Sequence, residues 1–274
     1  MSLPESSSIT SAQNRRFRAA LGLKEARDRR QQGRILIDGA REISRALDAR
    51  VAPIEAWVDS ERMAGYEMQA LEVRLEAAGC PVIEADARLL ERLSYGERST
   101  GLVLVAATPR RALDDLALGA AALVGVVDAV EKPGNLGAIL RSADGAGISA
   151  LLVTDPVTDL FNPNVIRASL GTVFTVPLGL ASAGEAMTWL RARDLRLVTA
   201  RVDAALDYTD ADFTGPVAIV LGSEAEGLGD AWAGSDVTAV RVPMLGVADS
   251  LNVSATAAIL FFEARRQRGT GGVR

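Results

Sequence analysis

Three stretches of this 274-residue sequence set Gly, Asn, Ser, Arg and Glu just after an apolar run has ended. The first extends from Asp128 to Asp144 and holds Pro133, Gly134, Asn135, Gly137 and Arg141. The second is Leu221-Gly222-Ser223-Glu224, followed by Gly227 and Gly229. The third is Val242-Pro243-Met244-Leu245-Gly246, followed by Ser250-Leu251-Asn252 and the apolar run Ala257 to Phe262. Glycine lets a ligand approach the backbone closely. Asn135, and either Ser250 or Asn252, can cap a helix whose first free N–H groups point back over the loop. That geometry suits an anionic or polar ligand group, although an ordinary capped surface helix uses the same residues. The first loop does not fit the dinucleotide fingerprint or the Walker loop, because the glycine spacing fails and no Gly-Lys-Ser/Thr follows. The chain has no histidine, which removes Ser-His-Asp and Cys-His catalysis and the usual zinc and non-haem iron sites. Its single Cys80 excludes an internal disulfide and a cysteine-rich metal site, and reads as a small buried apolar residue. Chemistry must therefore rest on Arg, Lys, Asp, Glu, Ser, Asn, backbone amides or a reactive cofactor, and no metal is expected.

The elements that must position these loops follow an α/β rhythm. In the second half, strands are expected over 122–127, 150–153, 172–176, 195–200, 217–221 and 237–242. Helices are expected over 135–145, 164–170, 184–192 and 250–267. Near-continuous Val, Ile, Leu and Ala runs suit a parallel sheet covered on both faces. In such a sheet, ligands sit beyond the carboxyl ends of the strands, so the three loops should share one edge. The first half reads as strands over 35–38, 54–58, 82–83 and 102–106 alternating with helices over 40–49, 68–78 and 87–93. That βαβαβαβ order suggests a small three-layer module. The expected organisation is a disordered tail over 1–12, a module over 13–107, a polar linker over 108–119, a larger domain over 120–268 and a flexible tail over 269–274.

Composition is that of a globular chain, 49% hydrophobic and 24% charged, with a net charge of −5. No run is long enough to span a membrane. The N-terminus has no apolar h-region, so no secretory signal is expected and the cytoplasm is the expected location. The segment from Arg15 to Arg34, most of it in a helix expected over 14–32, is strongly basic. Arg15, Arg16, Arg18, Lys24, Arg27, Arg29, Arg30 and Arg34 stand against only Glu25 and Asp28. A basic segment on an acidic chain points to a polyanion partner, with a solvated, ion-paired helix as the plainer explanation.

Together the three loops resemble the three motifs of the SpoU-type (TrmH-like) RNA ribose 2′-O-methyltransferases of the SPOUT superfamily, over about 120–268. Ile35-Leu36-Ile37-Asp38-Gly39 and the basic helix before it are weakly similar to that family's L30e-like substrate-binding domain. Among members, the chain is similar to actinomycete antibiotic-resistance rRNA methyltransferases of the thiostrepton and avilamycin type. The resemblance implies a parallel-sheet domain closed by a deep trefoil knot. It implies S-adenosylmethionine bound by Thr199, Ala200, Gly222, Ser223, Glu224, Val242, Pro243 and Leu251, mainly through backbone. It implies a catalytic set of Arg141, Asn135, Glu224, Ser250 and Asn252. Ser223 stands where relatives often have Asn.

The implied reaction is methylation of a ribose 2′-OH in 23S rRNA. The cofactor already carries the activated methyl group, so the protein supplies positioning and electrostatics. Arg141 is the family's activator, yet a guanidinium is a poor base. Binding the adjacent phosphate and stabilising the developing alkoxide, with Glu224 holding Arg141, is the better physical role. A homodimer through the last helix is expected, because Ala257 to Phe262 is apolar all round and its own sheet covers one side. Arg141 is then expected to reach toward the partner's cofactor. A tRNA substrate, a non-catalytic RNA-binding protein and a nicotinamide-dependent oxidoreductase remain open alternatives.

Overall fold

The structure is a computed structural model that describes residues 8–62, 66–95, 101–223 and 227–269. The chain divides into two compact units. One comprises Met1–Pro109 with Asp159–Thr175, and the other Arg110–Thr158 with Val176–Arg274.

In the first unit, β1 (Arg34–Asp38), β2 (Pro53–Val58), β3 (Val82–Glu84) and β4 (Leu102–Ala107) form one sheet in the order β1-β4-β2-β3. The expected alternation holds, with α3 (Ala40–Asp48), α4 (Tyr66–Ala77) and α5 (Ala87–Leu93) between the strands. β4 is antiparallel to β1 and β2, while β2 and β3 are parallel. The core gathers Phe17, Leu36, Trp57, Ile83, Leu90 and Val103, with Phe17 edge-on to Trp57 at 5.9 Å. Cys80 is buried beside it, and burial pushes its thiol up to about 11, so it is held as an unreactive apolar side chain. Residues 8–12 are placed rather than disordered. Ile9 is buried and donates its N–H to the Glu84 carbonyl at 2.8 Å.

The basic helix is broken in two, α1 (Arg15–Gly22) and α2 (Ala26–Gln32). The break exposes carbonyls that need donors. Arg29 supplies them, donating to the Leu23 and Lys24 carbonyls at 2.8 Å each. Its side chain is 3% exposed and pairs with Asp159 at 2.6 Å. Arg29 is therefore a buried cap and not the surface RNA contact expected of it.

Residues 172–176 do not form the expected strand. They hold α8 (Thr172–Thr175), close behind α7 (Pro163–Ala168). The β-branched run is overridden by local hydroxyl bonding. Ser169 Oγ donates to the Ile166 carbonyl, and Thr172 Oγ1 to the Ser169 carbonyl, each at 2.9 Å. This segment belongs to the first unit instead of the expected 120–268 domain. Arg29 binds Asp159, Arg45 donates to the Leu170 carbonyl at 2.5 Å, and Arg167 donates to the Tyr95 carbonyl.

The second unit carries a seven-stranded parallel sheet: β5 (Leu123–Asp128), β6 (Ala150–Thr154), β7 (Leu178–Ala181), β8 (Arg196–Ala200), β9 (Leu206–Asp207), β10 (Val217–Leu221) and β11 (Val237–Arg241). Their order is β7-β6-β5-β10-β8-β11-β9. The short β7 and β9 carry too few residues to stand out in the sequence. On one face, α9 (Ala183–Arg191) covers a core of Val124, Val126, Leu152, Leu190, Val220 and Trp232. Elsewhere α6 (Pro133–Ala146) and α10 (Val253–Gln267) pack against each other, and α10 also reaches β10. The last helix is thus covered by α6 as well as by its sheet. Ala257, Leu260, Phe261 and Ala264 are buried, and Phe262 is 49% exposed.

Two features fix α10. Phe261 sits over Gly125 of β5, where an added Cβ would lie 2.8 Å from the Phe261 Cζ and 2.8 Å from the Leu151 Cδ1. Arg268, at its C-cap, donates to the carbonyls of Ala121, Ala122, Phe213 and Gly215. Gly125→Ala is therefore expected to destabilise the protein by about 1–3 kcal/mol through overpacking, read as a lowered midpoint in thermal or urea unfolding. Asp159→Ala strands a buried guanidinium, and the expected loss in the same assay is about 3–5 kcal/mol.

Candidate active site

Strand register brings the expected loops to one edge. β10 lies between β5 and β8, with Leu221 opposite Val127 and Val220 opposite Thr199. β11 lies on the far side of β8, with Ala239 opposite Thr199. In parallel strands this register aligns the carboxyl ends, so the chain leaves Asp128, Ala200, Leu221 and Arg241 along a common rim.

The first loop is anchored below this rim. Asp128 is buried, and its Oδ1 accepts a hydrogen bond from Thr154 Oγ1 at 2.6 Å. Ala129, at φ 50°, donates its N–H to the Thr154 carbonyl at 2.9 Å. Sequence reasoning gave Asp128 no role, although a carboxylate ending an apolar strand was the available signal. Pro133 then opens α6 at a position where its missing N–H costs nothing. Asn135 follows in the first turn, half-buried.

The third loop ends at Asn252, which is the cap of α10; the helix starts at Val253 and not at Ser250. Asn252 Oδ1 accepts from the Ser254 N–H at 2.9 Å and from Ser254 Oγ at 2.6 Å. Its Nδ2 donates to Asn135 Oδ1 at 3.2 Å, across 117 residues of sequence. Two asparagines singled out in separate motifs therefore meet side chain to side chain. Ser250 and Leu251 are exposed beside them, Leu251 at 38%.

The second loop is a tight backbone pair. Ser223 N–H donates to the Gly227 carbonyl at 3.1 Å, and Gly227 N–H returns a bond to the Ser223 carbonyl at 3.2 Å. A Cβ on Gly222 would lie 2.3 Å from the Gly227 carbonyl carbon and oxygen, so only glycine fits there. Glu224 lies outside the described residues.

The residues present suit a cofactor held through backbone. Thr199 is fully buried at the rim, and its Oγ1 has no hydrogen-bond partner. A buried hydroxyl left so costs about 1–3 kcal/mol unless a bound group meets it. Ala200, Val242 and Met244 are half-buried, while Pro243, Leu245 and Val247 are exposed. Exposed apolar side chains gathered on one loop mark a contact surface rather than a solvated turn.

Arg141 is exposed on α6. It lies six residues past Asn135, about 9 Å along the helix and about 120° around it. Asn135 and Asn252 are brought together; Arg141 does not share their face.

In the first unit, Arg15, Arg18, Arg27 and Arg30 are exposed and Arg34 is half-buried. Arg16 is held by the buried Glu55 at 2.6 Å. Lys24 donates to the Ser94 carbonyl at 2.8 Å and stands 5.1 Å above the Tyr95 ring. Among the described residues, no group of three or more Cys, Asp or Glu is arranged to hold a metal ion. None of their helices is long and apolar enough to cross a membrane. A groove of about 700 Å3 runs along α9, lined by Leu113, Asp114, Glu185, Trp189 and Arg193, and includes none of the motif residues.

Residues 122–262 match the SpoU rRNA Methylase family, and residues 14–104 match the MRM3-like substrate binding domain. The chain is 32% identical to the 23S rRNA (uridine(2479)-2′-O)-methyltransferase of Streptomyces viridochromogenes, over 98% of this chain and 95% of the relative. It is similar to the solved structure of the SpoU methyltransferase AviRb from Streptomyces viridochromogenes in complex with AdoMet, with a TM-score of 0.85, 31% identity, and 95% and 100% of the two chains covered. It is also similar to the AdoMet-bound rRNA methyltransferase of Sinorhizobium meliloti, with a TM-score of 0.86 and 26% identity over 94% and 97%. The parallel-sheet unit, its three loops on one rim and a match covering both halves lead to one conclusion: the chain belongs to the SpoU rRNA methylase family.

Proposed function

We propose that the chain is an S-adenosylmethionine-dependent RNA ribose 2′-O-methyltransferase acting on 23S rRNA. The single observation that carries this is the common rim, where Asn252 bonds Asn135 and the Gly222 turn and Thr199 stand on neighbouring strands. Family membership and the 23S rRNA 2′-O-methyltransferase activity of the relative from Streptomyces viridochromogenes support the substrate. Resistance to a ribosome-targeting antibiotic and action in the cytoplasm belong to the same proposal. A tRNA substrate is the second reading, favoured only by the shared family fold.

S-adenosylmethionine, when bound, supplies the activated methyl group. Thr199, Ala200, Gly222, Ser223, Glu224, Val242, Pro243 and Leu251 hold it, largely with backbone groups. Asn135 and Asn252, braced against each other, orient the ribose, and Ser250 adds a hydroxyl at the same place. Arg141 binds the neighbouring phosphate and stabilises the alkoxide that develops as the 2′-OH oxygen takes the methyl group, its proton passing to solvent and the thioether S-adenosylhomocysteine leaving. Glu224 steadies that guanidinium. Because Arg141 sits about 120° around α6 from Asn135, it serves the rim of a second copy. The homodimer forms through α10 beside the exposed Phe262, and the two active sites are shared. The second unit is proposed to close as a deep trefoil knot, and the first to be an L30e-like module. Arg15, Arg18, Arg27, Arg30 and Arg34 give that module its RNA-facing charge, with Arg16 and Lys24 at its margin.

Incubation of 23S rRNA with labelled S-adenosylmethionine, followed by mapping of 2′-O-methylated positions, should find one modified ribose. No label in 23S rRNA, with label in a tRNA pool, would transfer the proposal to tRNA. Gly222→Ala forces the Ser223–Gly227 turn apart and should weaken S-adenosylmethionine binding roughly tenfold or more in calorimetric titration. Arg141→Lys keeps the charge but loses the planar fork; kcat should be largely retained, with cofactor affinity unchanged, and a fall of about 100-fold or more with binding intact would assign Arg141 a geometric or base role instead.

A further inference from the structure

Two buried polar atoms of the first unit lack partners within one small neighbourhood. Asp38 Oδ1 and Ser94 Oγ make no hydrogen bond, although the Asp38 side chain is only 7% exposed. Native proteins leave few such groups unmade, and each calls for a cause. Around them the groups are already organised. Asp38 Oδ2 accepts the Tyr95 N–H at 2.7 Å, which fixes the carboxyl and leaves Oδ1 as a buried acceptor without a partner. Lys24 Nζ donates to the Ser94 carbonyl at 2.8 Å and stands 5.1 Å over the Tyr95 ring. Arg167 donates to the Tyr95 carbonyl and lies 3.8 Å from Asp38 Oδ2. Arg92, exposed, stacks 5.3 Å over the Phe17 ring.

Burial raises the Asp38 carboxyl above the usual range, opposed by the Tyr95 N–H and by Arg167 and Lys24 and reinforced by Glu42. A donor meeting Oδ1 would offset that penalty. The neighbourhood thus joins a fixed acceptor and a hydroxyl, both buried and unpaired, with a half-buried aromatic ring and cations. Single-stranded RNA presents the complementary set: a base with N–H donors on its edge, a π-face and a phosphate. A folded protein gains nothing by itself from burying Oδ1 and Ser94 Oγ unpaired.

We propose that Asp38, Ser94, Tyr95 and Lys24 form a subsite for one unpaired nucleotide of the RNA substrate. The base stacks on Tyr95, its N–H edge donates to Asp38 Oδ1, Ser94 Oγ completes the edge, and Lys24 turns from the ring to the phosphate. The subsite deepens the methyltransferase reading and rests on it for the identity of the RNA.

The test is direct binding of deproteinised 23S rRNA to the full chain by filter retention, alongside steady-state methylation. Asp38→Asn keeps the shape and an acceptor for the Tyr95 N–H but turns the unpaired acceptor into a donor; Tyr95→Leu removes the stacking face. Each should raise Kd and KM for the RNA about tenfold, in line with the loss of one stacked and bonded base, with kcat and S-adenosylmethionine affinity within about twofold. Thermal melting identifies any variant that fails to fold, and Ser94→Ala, the smallest change, then stands in with a smaller loss in the same direction. Unchanged RNA affinity in folded variants overturns the subsite even where methylation is intact. Weakened RNA affinity in a chain that methylates no RNA sustains the subsite and overturns the methyltransferase reading instead.

Discussion

The seating of α10 is the constraint on which the second unit depends. Phe261 presses into the space left by Gly125, Arg268 gathers four carbonyls at the helix's C-terminal end, and Asn252 caps its start. With both ends and the middle fixed, the N-terminal cap can stand only where it does, beside the first turn of α6. The Asn252–Asn135 hydrogen bond is the geometric outcome of that packing. An exposed side-chain bond of this kind contributes little stability by itself. Its geometry comes from the buried residues behind it, and geometry is what a methyl transfer needs from a protein.

The rim is built from backbone as much as from side chains. Parallel strands with aligned carboxyl ends leave successive loops side by side. The Gly222 turn is pressed against Gly227 so tightly that no larger residue fits, and the buried Asp128–Thr154 pair anchors the first loop from beneath. Such a frame suits a cofactor that brings its own reactivity. No histidine is needed where the leaving group is already activated and the protein's task is to orient an oxygen and steady the charge it develops.

Much of this was legible in the sequence, for identifiable reasons. Strand runs such as Val217–Leu221 are apolar throughout, and the Gly and Asn residues that end them carry a positional meaning that survives without coordinates. What was hidden depended on long-range partners. Arg29 reads as one of eight basic residues, and only the break between α1 and α2, with Asp159 brought to it, shows that it is buried. The run from Thr172 to Val176 has strand propensity, yet Ser169 and Thr172 hydroxyls cap it into α8. Asp159–Thr175 joins the first unit although it lies between strands of the second, an arrangement no local pattern encodes. The pairing of Asp38 with Tyr95 is hidden for the same reason, since it joins residues 57 apart.

On the proposed function, one rim, and not the groove along α9, receives the cofactor. Hydrogen exchange with and without S-adenosylhomocysteine tests it most directly. Backbone amides over 199–202, 222–223, 227–229 and 242–252 should gain protection together, with residues 112–114 and 184–193 unchanged. Protection confined to the α9 groove, with the three loops unaffected, would contradict the account.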